Sequence, residues 1–284
     1  MPSSYADMNN EQLRLNAQEG DVEAAFLLGK RLLAVRGSAM EGVEYLKEAA
    51  KKRHLQACEI LGSTFLYGEG GVPQDKRQAM VYYEQAQALG SVTARTRLID
   101  LYLDSEDKAE RGLQLLTDAA DAGDRKAAAR AARLYLTGEV SGVDLERAAK
   151  YALISDDSAV LFETAEKLDL LDTNEALRDK MYQKLLAKDR EGAQLGISAC
   201  LALGELYRRG KGTKADGRSA ERLFLRAIEL EKQQVMSEPK AELMLAELYE
   251  KGAEGLPADH ESARRLLRSA YKSGNELARV RYIE

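Results

Sequence analysis

A six-residue block returns along this chain with the internal spacing of a helix face, and its recurrence restricts the fold more than any other feature. Ala24–Gly29, Ala57–Gly62, Ala199–Gly204 and Ala241–Ala246 each begin with Ala, carry Leu four residues on, and end in a small residue. A large residue follows three positions later, at Leu32, Phe65, Tyr207 and Tyr249. Ala94, Leu98, Ile99 and Tyr102 fit the same template, as do Ala127, Ala131, Ala132 and Tyr135. Steps of four, one and three residues share one side of a 3.6-residue helix. From Leu32 the large-residue column advances by 33, 37, 33, 72 and 42 residues. The step of 72 is two periods, so a degenerate unit belongs between Tyr135 and Tyr207, with Val160, Ala165 and Leu168 as its column. Periods of this size mark stacked arrays, and about seven units are expected.

Each unit holds a second helical column. Ala79, Tyr82, Tyr83 and Ala86 form one, Ala148 and Tyr151 another; Ala220, Leu223, Phe224 and Ala227 a third, and Ala263, Leu266, Leu267 and Ala270 a fourth. Gly90, Gly123 and Gly274 stand where a helix needs a C′ residue of positive φ. Asp124 and Asn275 follow as caps for the next helix. Gly62 and Gly204 are expected to admit the paired helix closely while Phe65 and Tyr207 fill the gap. One large apolar side chain contributes roughly 1.5–3 kcal/mol when buried. A lone helix pair cannot bury its own face, so stability must come from stacked neighbours. The predicted fold is all-α, an α/α superhelical solenoid of two-helix units.

Several function classes drop out on composition. With 42 Lys+Arg against 47 Asp+Glu and a net charge of −5, the 284 residues give no basic field for nucleic acid. At 45% hydrophobic the chain is too apolar for disorder, and no run reaches the roughly 18–20 apolar residues of a membrane span. The start shows no secretory leader and no nearby Cys to carry a lipid. Localisation stays open: cytoplasmic as numbered, periplasmic if a leader has been removed.

Leu61-Gly62, Tyr67 to Asp75 (Tyr-Gly-Glu-Gly-Gly-Val-Pro-Gln-Asp), Ala79 and Tyr82 to Ala86 together resemble the Sel1-like repeat, a tetratricopeptide relative with a longer Gly-rich turn. Leu203 to Tyr207 with Gly210 to Asp216, and Leu248-Tyr249 with Gly252 to Asp259, resemble it again. The resemblance spans about residues 21–275 and implies a right-handed superhelix that binds other proteins and has no catalytic residues. It points to a non-enzymatic scaffold or adaptor for a protein or peptide partner, without cofactor. The irregular spacing is also similar to the periplasmic Sel1-like scaffold lipoproteins of alginate export. That likeness implies the alternative, a scaffold for exopolysaccharide export or envelope assembly with possible polysaccharide contact. The expected organisation is a cap at 1–20, the solenoid at 21–275 with its degenerate unit near 158–190, and 276–284 as a further unit or a capping helix. Ala278 lies 37 residues after Ala241 and the chain stops inside that helix, which reads as part of a longer protein.

Candidate chemistry is sparse. Gly204 to Thr213 superficially resembles a phosphate-binding loop, but its glycine spacing is wrong, Gly212 replaces the Ser/Thr, and it follows a helix. Cys58 and Cys200 share one repeat column about four units apart, too far for a disulfide. His54 and His260 lack companions for a metal site or catalytic pair and read as surface residues. The strongest interaction signal lies on first helices, which line the concave side in this class. Lys126, Arg130 and Arg133 form a basic stripe, Arg97 repeats the column of Arg130, and Glu205 and Glu247 occupy that of Arg133. A surface changing sign along its length selects an oriented partner of mixed charge. Tyr67, Tyr82, Tyr83, Tyr102, Tyr135 and Tyr151 are expected mostly in the core, with Tyr67 and Tyr83 as exceptions.

Overall fold

Asp side chains fix where seven of the helices start. Asp21, Asp75, Asp124, Asp144, Asp157, Asp216 and Asp259 each accept a first-turn backbone N–H at the N-cap, filling one of the donors that a helix start leaves unpaired. Gly90, Gly123 and Gly274 take φ of 94°, 96° and 93° at the expected helix ends. The computed structural model describes residues 5–191, 195–233, 240–275, 278 and 280.

Residues 1–118 and 119–284 form two compact units. The first holds α1 (Asn10–Gln18), α2 (Val22–Leu33), α3 (Ala39–Lys51), α4 (Leu55–Tyr67), α5 (Lys76–Ala88) and α6 (Val92–Leu103); α7 (Ala109–Asp121) spans the boundary. The second holds α8 (Arg125–Thr137), α9 (Leu145–Ser155), α10 (Ser158–Leu170), α11 (Glu175–Arg190), α12 (Ile197–Arg209), α13 (Gly217–Lys232), α14 (Lys240–Lys251) and α15 (His260–Lys272). From α2/α3 to α14/α15 these are seven helix pairs among the described residues, an all-α repeat solenoid. The degenerate unit is a complete pair, α10/α11, and Val160, Ala165 and Leu168 are buried in it.

Small residues set the spacing within a pair. A Cβ on Gly29 would stand 2.8 Å from the carbonyl oxygen of Gly42, and one on Gly42 2.7 Å from that of Gly29, so α2 and α3 cross with their backbones in contact. The expected filling of the other crossings needs correction. The ring against Gly62 is Tyr83, and against Gly204 it is Phe224, both from the second helix. Phe65 instead stacks on Tyr82, with centroids 5.7 Å apart. Tyr207 reaches the preceding pair, donating to Asp189 Oδ2 at 3.1 Å. Tyr249 donates likewise to Glu221 (2.5 Å), and Tyr102 to Glu84. At Tyr102, Tyr207 and Tyr249 the large-residue column thus latches a first helix to the second helix before it through the paired hydroxyl.

Lysines of two second helices, α3 and α11, reach back to the segment one repeat before. Lys52 Nζ donates to Gly20 O (2.7 Å), and Lys184 Nζ to Leu153 O (2.7 Å). A cation at the carbonyl end of a helix is favoured by its dipole. At the beginning of the chain, Leu13 of α1 is buried with Ala24, Leu28 and Leu32 of α2. Most of 276–284 lies outside the described residues; Ala278 is helical and buried, and its amide donates to Asn275 Oδ1 at 3.1 Å.

Within residues 119–284, α10 touches both α8 and α12, and α12 touches α14. No two second helices in this unit meet as extensively among the described residues. A row of helix pairs curves toward the side where its members touch, so here the first helices take the inner side.

Candidate functional site

The Asp124 cap places α8 so that its alanines Ala127, Ala128, Ala131 and Ala132 are buried. Lys126, Arg130 and Arg133 consequently stand exposed on the helix. Arg133 Nε approaches Glu163 Oε2 of α10 at 3.5 Å, with both side chains about half exposed. Such a pair contributes at most about 1 kcal/mol and is readily exchanged for another partner. The structure brings these three cations together. Arg97 is exposed on α6, in the other unit.

The acidic end differs from the sequence reading. Glu205 is only 5% exposed, and its carboxylate accepts from Arg208 Nε (2.9 Å) and Nη2 (2.6 Å), with Arg209 Nε at 2.8 Å. Its charge is spent inside the fold. The signal was present in the sequence as Arg residues three and four positions beyond Glu205, the spacing that lets helical side chains meet. Glu247 is half-buried on α14. Glu166, which sequence reasoning passed over, gathers Arg209 (2.6 Å), Lys211 (3.1 Å) and the Tyr182 hydroxyl (3.0 Å).

Of the tyrosines, Tyr67 is 51% exposed, while Tyr102, Tyr135 and Tyr151 are buried. Tyr83, expected as an exception, is buried on Gly62, and burial pushes its hydroxyl up to about 12. His54 is a helix cap, not a surface residue: Nδ1 accepts from Ala57 N at 3.2 Å and the ring stacks on Phe26 at 4.3 Å. His260 is exposed at the start of α15. Cys58 and Cys200 are buried free thiols, and desolvation pushes both up. Among the described residues no three His, Cys, Asp or Glu side chains are grouped to hold a metal.

One buried acid is electrostatically strained. Glu231 of α13 accepts from Ala241 N at 3.2 Å. Burial raises its carboxyl above the usual range and the charge of Glu242 adds to this, against backbone N–H groups and the Lys240 charge. Glu242 is itself buried, and its Oε2 has no hydrogen-bond partner among the described residues. A raised acid contributes stability at low pH, lost as pH climbs from the ordinary Glu range through the raised value. Glu231→Gln is therefore expected to raise Tm more at pH 8 than at pH 5, as thermal melts at both values would show. An equal change at both would contradict this.

The Sel1 repeat family profile matches residues 22–54, 55–91, 125–155, 197–231 and 239–275. The unmatched pairs, α6/α7 and α10/α11, lack the Gly-rich turn. Among solved structures, a protective antigen of uropathogenic Escherichia coli with an SLR fold is 21% identical at a TM-score of 0.59, covering 96% of this chain and 58% of the antigen. The chain thus spans less than two thirds of that relative, and the likeness speaks to fold alone. A Sel1 repeat protein from Oxalobacter formigenes is 20% identical over 94% of this chain and 88% of that one, with a TM-score of 0.48. No curated protein matches significantly. The narrower resemblance to the scaffolds of alginate export is not shown by these comparisons. Five profile matches spread over more than half of the sequence, on a framework of stacked helix pairs, mean that the chain belongs to the Sel1 repeat family.

Proposed function

We propose that the chain is an adaptor whose first-helix row in residues 119–284 receives a protein or peptide partner, with Lys126, Arg130 and Arg133 as its cationic end. Sel1 repeat proteins generally mediate protein–protein interactions on a typically non-catalytic scaffold. The observation that carries the reading is the exposure of three cations along one face of α8, the first helix of a row whose inner side is formed by such helices. A partner segment with acidic side chains at matching intervals displaces the weak Arg133–Glu163 contact and is steered to that end. A polysaccharide gains little here, since Tyr135 is buried and stacked on Tyr151 instead of forming a platform beside the stripe.

The test is a triple reversal, Lys126→Glu, Arg130→Glu and Arg133→Glu, assayed against a partner identified by in-cell photo-crosslinking from position 126. Affinity should fall by about tenfold or more, chiefly through a slower, less salt-sensitive association. An unchanged association rate would remove the stripe from the interface.

A further inference from the structure

Three Gly-rich turns have a second role, visible only in three dimensions: those at residues 68–75, 210–216 and 252–259 lie on the second helix of the pair before them. Gly70 sits against Ala39, the first residue of α3; a Cβ there would be 2.8 Å from the Ala39 methyl. Gly212 O accepts from Gln183 Nε2 of α11 at 2.8 Å. The turn of residues 252–259 covers the start of α13, where Gly217 N donates to Glu254 O (2.7 Å) and Arg218 Nε to Gly255 O (3.2 Å).

At α5 this cover is missing. The turn that should supply it, between α6 and α7, has only the five residues 104–108, whereas 252–259 has eight. What remains is an open groove of about 660 Å³. Its floor includes the buried Met80 and Leu101 and the 49% exposed Val81. One wall carries Lys76 and Arg77 at the start of α5, and the facing wall is acidic, with Asp104, Glu106 and Asp107. Lys76 and Asp104 pair across it at 2.6 Å, which narrows the groove without filling it.

Counting from the Asp caps, Lys76 and Arg77 hold the positions of Gly217 and Arg218. Where a turn covers the helix start, that first residue is small: a Cβ on Gly217 would stand 2.7 Å from Leu256 Cβ. At α5 it is an exposed Lys, and Arg77, the counterpart of the turn-binding Arg218, is also exposed. The α5 wall thus offers the exposed guanidinium of Arg77, which favours an acceptor-rich, acidic segment on that side.

We propose that this groove docks a glycine-containing acidic turn of a partner protein, with a carbonyl or carboxylate oxygen on Arg77 and a branched aliphatic side chain on Met80, Val81 and Leu101. The bound turn replaces the one that the α6/α7 pair lacks. The dipolar rim orients it, acid toward α5. This surface is carried by residues 76–108, so it is tested independently of the cationic stripe on α8.

A labelled cyclic peptide with the sequence of residues 252–259, Gly-Ala-Glu-Gly-Leu-Pro-Ala-Asp, is titrated against the full chain by fluorescence anisotropy. Saturable binding is expected, weakened about tenfold by Arg77→Ala and by Val81→Asp, a factor in keeping with the loss of one charge-assisted contact. Both positions are exposed, and circular dichroism checks that the variants fold. Grafting the 252–259 turn in place of 104–108 should abolish binding by filling the groove from within. Absence of saturable binding to the unmodified chain would overturn the proposal, as would binding indifferent to both substitutions. Self-association lost in Val81→Asp would overturn it too, assigning the groove to a second copy of the chain.

Discussion

Gly204→Leu is expected to destabilise the unit of residues 119–284 by about 3 kcal/mol, the upper end of the usual overpacking cost. Already a Cβ at this position would lie 2.8 Å from Cδ1 and Cζ of Phe224, and nearer still to Cε1. The ring has little room to retreat, because Phe224 is fully buried at this crossing. An isobutyl group must therefore push α12 and α13 apart and weaken the contacts each makes with its neighbours. For a unit of this size the loss corresponds to a Tm lower by roughly 5–10 °C. Calorimetry or far-UV circular dichroism reads it directly. Combining Gly204→Ala with Phe224→Leu should recover part of the cost of the glycine change, since the smaller side chain vacates the clashing volume; the double-mutant cycle isolates that coupling. An unaltered Tm in Gly204→Leu would mean that the two helices do not cross at this residue.

The crossing also shows what a sequence can and cannot disclose. A repeating column exposes the buried face of each helix, because burial follows the 3.6-residue period. Hence Val160, Ala165 and Leu168 located a pair that the family profile passes over. Caps were legible for a similar reason, since Asp124 and Gly123 act on backbone groups within a turn of themselves. Which ring lies on Gly62 or Gly204 is set by the register between two helices, and nothing local encodes it. His54 was misread in part on the same ground: its cap on Ala57 N is local, but its stacking on Phe26 depends on a helix one repeat away. The cover of a second helix by the next pair's turn is a relation across 29 to 37 residues. It left only a faint mark, the small residue at Ala39 and Gly217 against Lys76.

Glu205 separates structural from binding electrostatics, and Glu205→Ala is expected to cost about 2–4 kcal/mol of stability. Removing one partner of a buried ion pair strands the other charge, which typically costs about 3–5 kcal/mol. The lower range applies because Arg209 is partly exposed and keeps Glu166 at 2.6 Å. Arg208 bears most of the loss, since only about a fifth of its side chain reaches solvent and Glu205 holds it through two hydrogen bonds. Little of this should be screened by salt, unlike the exposed Arg133–Glu163 contact. Denaturant unfolding in low and high salt measures both points. The α8 charge reversal has the opposite signature, with stability nearly intact and partner association slowed. If Glu205→Ala left the unfolding midpoint in place but weakened partner binding, Glu205 would belong to the interface, and the acidic end of the row would have to be redrawn around it.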